Sequence, residues 1–201
     1  IMRTGDYLDC REQSNTFAQM AAFIRDNRIL AGQGEPERVR VLATTASIWP
    51  MLGFSAQIGR VHNEGEDLPA DSGVVMLSEK FWQRKFDGDP DVLGKSLLLD
   101  GKSHTIIGIM PPEADLEDMW HRVDLFAPLV MSAADTSRRA RDHCMVLARL
   151  KPGVSFEQAQ SELGGISARL AEAYPETNED IQIWTQPLKQ ALVSFEDVML
   201  M

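Results

Sequence analysis

Asp87-Gly88-Asp89-Pro90-Asp91 begins like a calcium-binding loop, with acidic side chains at alternating positions. An EF-hand also needs glycine at its sixth position, for the sharp turn, and a bidentate glutamate at its twelfth. Val92 and Leu98 stand there instead, so the segment reads as a turn in which Asp89-Pro90 leads into Val92-Leu93-Gly94. His62, His104, His121 and His143 are dispersed and form neither an HExxH nor an HxH pattern, which leaves them without metal-ligand spacing. Gly53-Phe54-Ser55 lacks the second glycine of a nucleophile elbow. Gly32-Gln33-Gly34 lacks the third glycine and the preceding apolar strand of a phosphate-binding turn.

The densest group of titratable side chains is Glu113, Asp115, Glu117 and Asp118, close to Trp120 and His121. Paired carboxylates of this kind could carry acid–base hydrolysis. A solvated acidic loop accounts for the same residues. Cys10 and Cys144 are the only cysteines and form no CxxC, which suits two small buried thiols, although spacing alone leaves a pairing open. We assign no catalytic, cofactor-binding or metal residues and no cofactor.

The elements that would position these groups follow from periodicity. Leu8, Phe17, Ala21 and Ile24 recur at near-helical spacing and predict a helix over 6–24. Val39 and Val41 alternate with Arg38 and Arg40 in a half-buried strand over 36–46. Residues 47–53 make one helical turn closed by Gly53, and 54–71 read as an acidic loop. Val74 to Leu77 is an apolar strand, and Ser78 caps a helix whose Phe81, Trp82 and Phe86 form a core-facing stripe. Asp100-Gly101 closes a hairpin of 95–100 with 102–110, because both turn residues can take positive φ, and Pro111-Pro112 stops the second strand.

Residues 113–136 are the least legible, with an apolar run, 125–131, interrupted by Pro128. Cys144 to Leu150 resumes as a strand, and Pro152-Gly153 turns it. Ser155 and Gln158 form a capping box before Phe156, Ala159, Leu163, Ile166 and Leu170, spaced as an amphipathic helix that Pro175 ends. Ile181 to Trp184 alternates as a final strand.

At 201 residues the chain is long enough for its own core. The formal net charge of -10 disfavours a nucleic-acid partner. No apolar stretch reaches the roughly 20 residues of a membrane span, and no signal peptide precedes the polar N-terminus. Both ends read as cut, which predicts a piece of a larger protein.

The segment VVMLSEKFWQRKFDGDPDVLGKSLLLDGKSHTIIGIMPP, from Val74 to Pro112, resembles the signature of the MacB-like periplasmic core domain of MacB/FtsX-type ABC-transporter permeases. Upstream, Glu35-Pro36-Glu37-Arg38, Leu52-Gly53 and Ile58-Gly59-Arg60 are similar to the same family. So, downstream, are the run from Leu147 to Ser155, Tyr174-Pro175-Glu176-Thr177-Asn178 and Pro187-Leu188.

The resemblance implies an α+β fold. A porter-like lobe of two βαβ-type halves, its first strand expected to be lacking here, would comprise 1–53 plus 142–201. An inserted small α/β lobe with a helix and a β-hairpin would comprise 54–141. It also implies a place on the periplasmic side of the bacterial inner membrane, tethered by flanking transmembrane helices. The expected partners are the rest of the permease, its cytoplasmic ATPase, a periplasmic adaptor protein and a second copy in a homodimer. Two readings compete with a non-catalytic relay of ATPase-driven movement: a solute-sensing, ligand-binding module, and an acidic hydrolase using Glu113 to His121.

Overall fold

The computed structural model describes residues 1–32, 34–67, 73–131 and 143–191. The chain divides into two compact units, Ile1–Met20 with Ala133–Met201, and Ala21–Ser132. Compactness thus divides it at other points than 53 and 141. The reason is pairing: the strand over 37–44 bonds to strands of the middle section, which keeps 21–53 with that section.

In the first unit a two-residue strand, β1 (Met2–Arg3), precedes helix α1 (Thr4–Gln13) and pairs antiparallel with β9 (His143–Leu150). Helix α5 (Phe156–Ala173) follows, then the short α6 (Pro175–Asn178). The expected capping box is present: Gln158 N–H donates to Ser155 Oγ at 3.2 Å, and Ser155 N–H donates to Gln158 Oε1 at 2.8 Å. Ala159, Leu163, Ile166 and Leu170 are the buried stripe of α5.

The helix expected over 6–24 is corrected. It ends at Gln13, and Phe17–Ala31 is a 15-residue strand, β2. The break has an identifiable cause. Glu162 of α5 accepts the backbone N–H groups of Asn15 at 2.8 Å and Thr16 at 3.0 Å, drawing them away from the helical ladder. Met20 to Phe23 are all buried, so this part of β2 lacks the two-residue alternation that marks a half-exposed strand.

The second unit is a mixed sheet in the order β2–β3–β8–β5–β7–β4. Its members after β2 are β3 (Glu37–Thr44), β8 (Leu125–Pro128), β5 (Val74–Ser78), β7 (Lys102–Met110) and β4 (Ile58–Gly59). β6 (Ser96–Leu99) pairs with both β2 and β7. Strand β8 lies in the illegible segment; it pairs parallel to β3 and antiparallel to β5, with Pro128 at its last position, where a missing donor costs least.

Helix α3 (Glu79–Phe86) starts where Ser78 Oγ accepts the Phe81 N–H at 3.3 Å, as expected. Phe81 and Trp82 are buried, in one cluster with Leu30, Val39, Val41, Leu77 and Ile106. Asp100 and Gly101 take φ of 47° and 78°, the left-handed pair the hairpin requires. Helix α2 (Ile48–Leu52) places Trp49 edge-on to Phe126, with ring centroids 5.3 Å apart.

The strand expected over 181–184 is absent. Its backbone donors go elsewhere than a strand ladder: Ile181 N–H to the Asn178 carbonyl at 3.0 Å and Ile183 N–H to Ser167 Oγ at 3.2 Å, while the next residue but one, Thr185, donates its N–H to Gln160 Oε1 at 3.0 Å. Ile183 is buried and Trp184 is exposed, which reproduces strand-like alternation without a strand.

Candidate functional site

Several of the groups singled out for chemistry are engaged in structure: Asp89, Asp115 and His62 each have partners. In the aspartate-rich turn, Asp89 Oδ1 accepts the Asp91 N–H at 2.8 Å and Oδ2 pairs with Lys95 at 3.3 Å. The backbone N–H bond, aided by Lys95, holds the Asp89 carboxyl below its ordinary value. Asp87 closes α3 in a left-handed conformation, φ 51°. The turn is a helix terminus followed by a cap.

In the acidic group, Asp115 pairs with Lys80 Nζ at 2.8 Å, and Glu113 and His121 are exposed. Trp120, the last residue of the short helix α4 (Glu117–Trp120), is buried edge-on to Phe23 at 5.8 Å. The side chains of Glu117 and Asp118 lie outside what the structure describes. Among the described residues no three His, Cys, Asp or Glu side chains converge as a metal site.

His62 is buried between α2 and β3. Burial lowers its pKa to about 4, opposing the Thr44 carbonyl bond that favours charge. Cys10 and Cys144 are both free and buried, and burial raises each thiol to about 12. A thiol so disposed carries almost no thiolate near neutrality and is a poor nucleophile.

Sequence reasoning overlooked three polar assemblies. Asp6, 1% exposed on α1, accepts from Asn178 Nδ2 at 2.9 Å. Glu162 collects Ser14 Oγ at 2.6 Å, Thr16 Oγ1 and the two backbone N–H groups already described. Its desolvation, which alone would raise the pKa, is outweighed by these four donors, and the carboxyl falls to about 2. In the second unit Arg84 stacks on Phe81 at 5.1 Å and reaches Glu37 and Asp124, each at 3.3 Å. Lys85 joins Glu37 at 2.6 Å and is the leading cause of that carboxyl's lowered pKa. These bonds join residues 40 or more positions apart, so no local spacing announces them.

The assembly defines a mixed α+β domain whose buried polar groups pin elements to one another. Three solved structures share the fold. The periplasmic region of MacB from Actinobacillus actinomycetemcomitans matches with a TM-score of 0.66 at 13% identity, over 89% of this chain and 77% of that one. The extracellular domain of the noncanonic ABC-type transporter YknZ from Gram-positive bacteria matches at 0.62 and 14% identity, over 87% and 84%. A domain assigned to a permease protein from Porphyromonas gingivalis matches at 0.65 and 20% identity, over 96% and 86%. No curated protein sequence matches the chain significantly. The family model described as the MacB-like periplasmic core domain matches residues 2–166, and the chain belongs to that family. No helix among the described residues is long and apolar enough to cross a membrane.

Proposed function

We propose that this domain is the extracytoplasmic part of an ABC-type permease. In that role it relays movement driven by a cytoplasmic ATPase to export or to a periplasmic partner, without chemistry of its own. Membership of the MacB-like periplasmic core family carries the reading. The use of polar groups supports it. Asp6, Glu162, Glu37 and Asp124 are committed to bonds that stiffen each compact unit. A relay needs stiff parts, because load applied to a soft element is lost in local rearrangement. In the intact transporter the permease forms a homodimer, tethered to the bacterial inner membrane by helices flanking this domain.

Topology tests the reading. The full-length gene product carries apolar helices of about 20 residues on both sides of this segment. A cysteine introduced at exposed Glu12 reacts, in intact spheroplasts, with a maleimide that does not cross the membrane. A full-length product without such helices, or labelling only after lysis, overturns it.

A further inference from the structure

The β2–β3 ribbon has two unlike faces. Antiparallel register sets Arg25 opposite Leu42, Asn27 opposite Arg40 and Ile29 opposite Arg38. Directly opposed residues share a face, so Arg25, Arg38 and Arg40 stand together on the side away from the Leu30, Val39 and Val41 core. Leu98 of β6, opposite Ala31, extends that face. Arg25, Arg38 and Arg40 are exposed, as are Ile29 at 46% and Leu98 at 39%.

In a chain with 30 acidic and 20 basic residues, arginines readily find carboxylates: Arg60 pairs with Glu66, Arg28 with Asp26, and Arg84 with Glu37 and Asp124. These three have no ion pair with any described residue. No acidic residue occupies that face of β2 from 25 to 31 or of β3 from 38 to 44; Asp100, just past β6 and opposite Ile29, spends one carboxylate oxygen on the Ile29 N–H at 2.9 Å. The acids of the same strands, Asp26 and Glu37, point to the other face and are already engaged. The result is a cationic strip with an apolar margin on an acidic protein.

We propose that this face, formed by Arg25, Arg38 and Arg40 beside Ile29 and Leu98, docks an acidic segment of a partner protein that also presents an apolar side chain. The inference rests on the relay reading and names the chemistry of the partner that receives the movement. Arg38 and Arg40, two positions apart on one strand, are separated by about 7 Å, the repeat of alternate side chains in an extended peptide. A guanidinium fork takes a carboxylate in bidentate fashion, and arginine is enriched at protein interfaces where lysine is depleted. The apolar margin suits a protein better than nucleic acid, whose dense charge the net -10 of the chain repels.

The test uses a fluorescein-labelled peptide of alternating glutamate and leucine, read by fluorescence anisotropy with the whole chain. Binding weakens at least fivefold as salt rises from about 0.01 to 0.1 M, over which the screening length shortens from roughly 30 to 10 Å. The triple variant R25Q/R38Q/R40Q binds at least tenfold more weakly at an unchanged melting temperature. Ile29→Ser with Leu98→Ser weakens binding severalfold and preserves the salt dependence. Arg38→Glu alone is the second variant, and it lowers binding at least fivefold.

No peptide binding by the unaltered chain overturns the proposal. So does binding within twofold in both arginine variants, tighter binding of phosphatidylglycerol vesicles than of peptide, or self-association of the chain that the variants abolish. The peptide assay reads docking alone. A chain that fails the topology test can still bind the peptide, and one that passes it can fail to bind, so the two failures are distinct.

Discussion

The indole N–H of Trp49 donates to Nδ1 of His62 at 3.3 Å, and this fixes the tautomer of a buried imidazole. With Nδ1 accepting, Nε2 carries the proton and donates to the Thr44 carbonyl at 3.0 Å. A second proton would have to occupy the nitrogen that Trp49 already uses. Neutral His62 therefore holds α2 against the end of β3.

The consequence is acid sensitivity. The folded value, about 4, lies below the ordinary 6.5, so the contribution of His62 is complete above pH 6.5 and disappears as the pH falls to about 4. A shift of this size corresponds to about 3 kcal/mol. Denaturant unfolding followed by tryptophan fluorescence at stepwise pH should show the decline. In His62→Gln, which can accept and donate without titrating, the curve should be flatter between those limits.

Glu162 makes a second prediction in the other unit. Its folded value of about 2 lies below the ordinary 4.5, so its contribution is present above pH 4.5 and is lost as pH falls through 2. Glu162→Ala should destabilise the domain by about 1–2 kcal/mol, a charged hydrogen-bond cluster discounted for partial exposure. Hydrogen exchange should find the loss concentrated at the amides of Asn15 and Thr16.

The third prediction concerns two glycines where strands approach closely. A Cβ on Gly108 would sit 2.3 Å from the Arg60 carbonyl oxygen, and one on Gly59 would sit 2.3 Å from the Ile107 carbonyl oxygen. Backbone cannot yield as a flexible side chain can, so Gly108→Ala should cost about 2–3 kcal/mol in thermal or denaturant unfolding. Gly94, at φ 79° with nothing within 4 Å, isolates conformational strain alone. Its alanine variant should cost about 1 kcal/mol.

Ser155→Ala removes the hydroxyl that accepts the Gln158 N–H at the start of α5 and should cost about 1 kcal/mol. Restoring the acceptor in Ser155→Asp should recover most of it by the same unfolding measurement.

What was legible in the chain was what depends on near neighbours. The capping box of α5, the Ser78 cap and the Asp100-Gly101 hairpin are interactions within about three residues, and each stands where its motif predicts. Strand β2 was misread because Phe17, Ala21 and Ile24 fall at helical spacing while burial from Met20 to Phe23 erases alternation. The Glu162 contacts that end α1 come from 146 or more positions away. The same misreading hid the arginine face: Arg38 and Arg40 were visible as outward residues of β3, but Arg25 joins them only through the β2–β3 register. Candidate chemistry could be weighed from motif spacing alone, whereas the ion-pair network of Arg84 could not, because its acids lie on β3 and before β8.

The relay itself is best tested in the full-length transporter with its ATPase, reconstituted in lipid. Spin labels at exposed Glu12 and Lys102, one in each compact unit, report the distance between the units by pulsed electron resonance. Magnesium and ATP with vanadate should shift the distance distribution relative to the nucleotide-free state. An unchanged distribution in that trapped state, with ATPase activity shown before vanadate is added, would contradict the account.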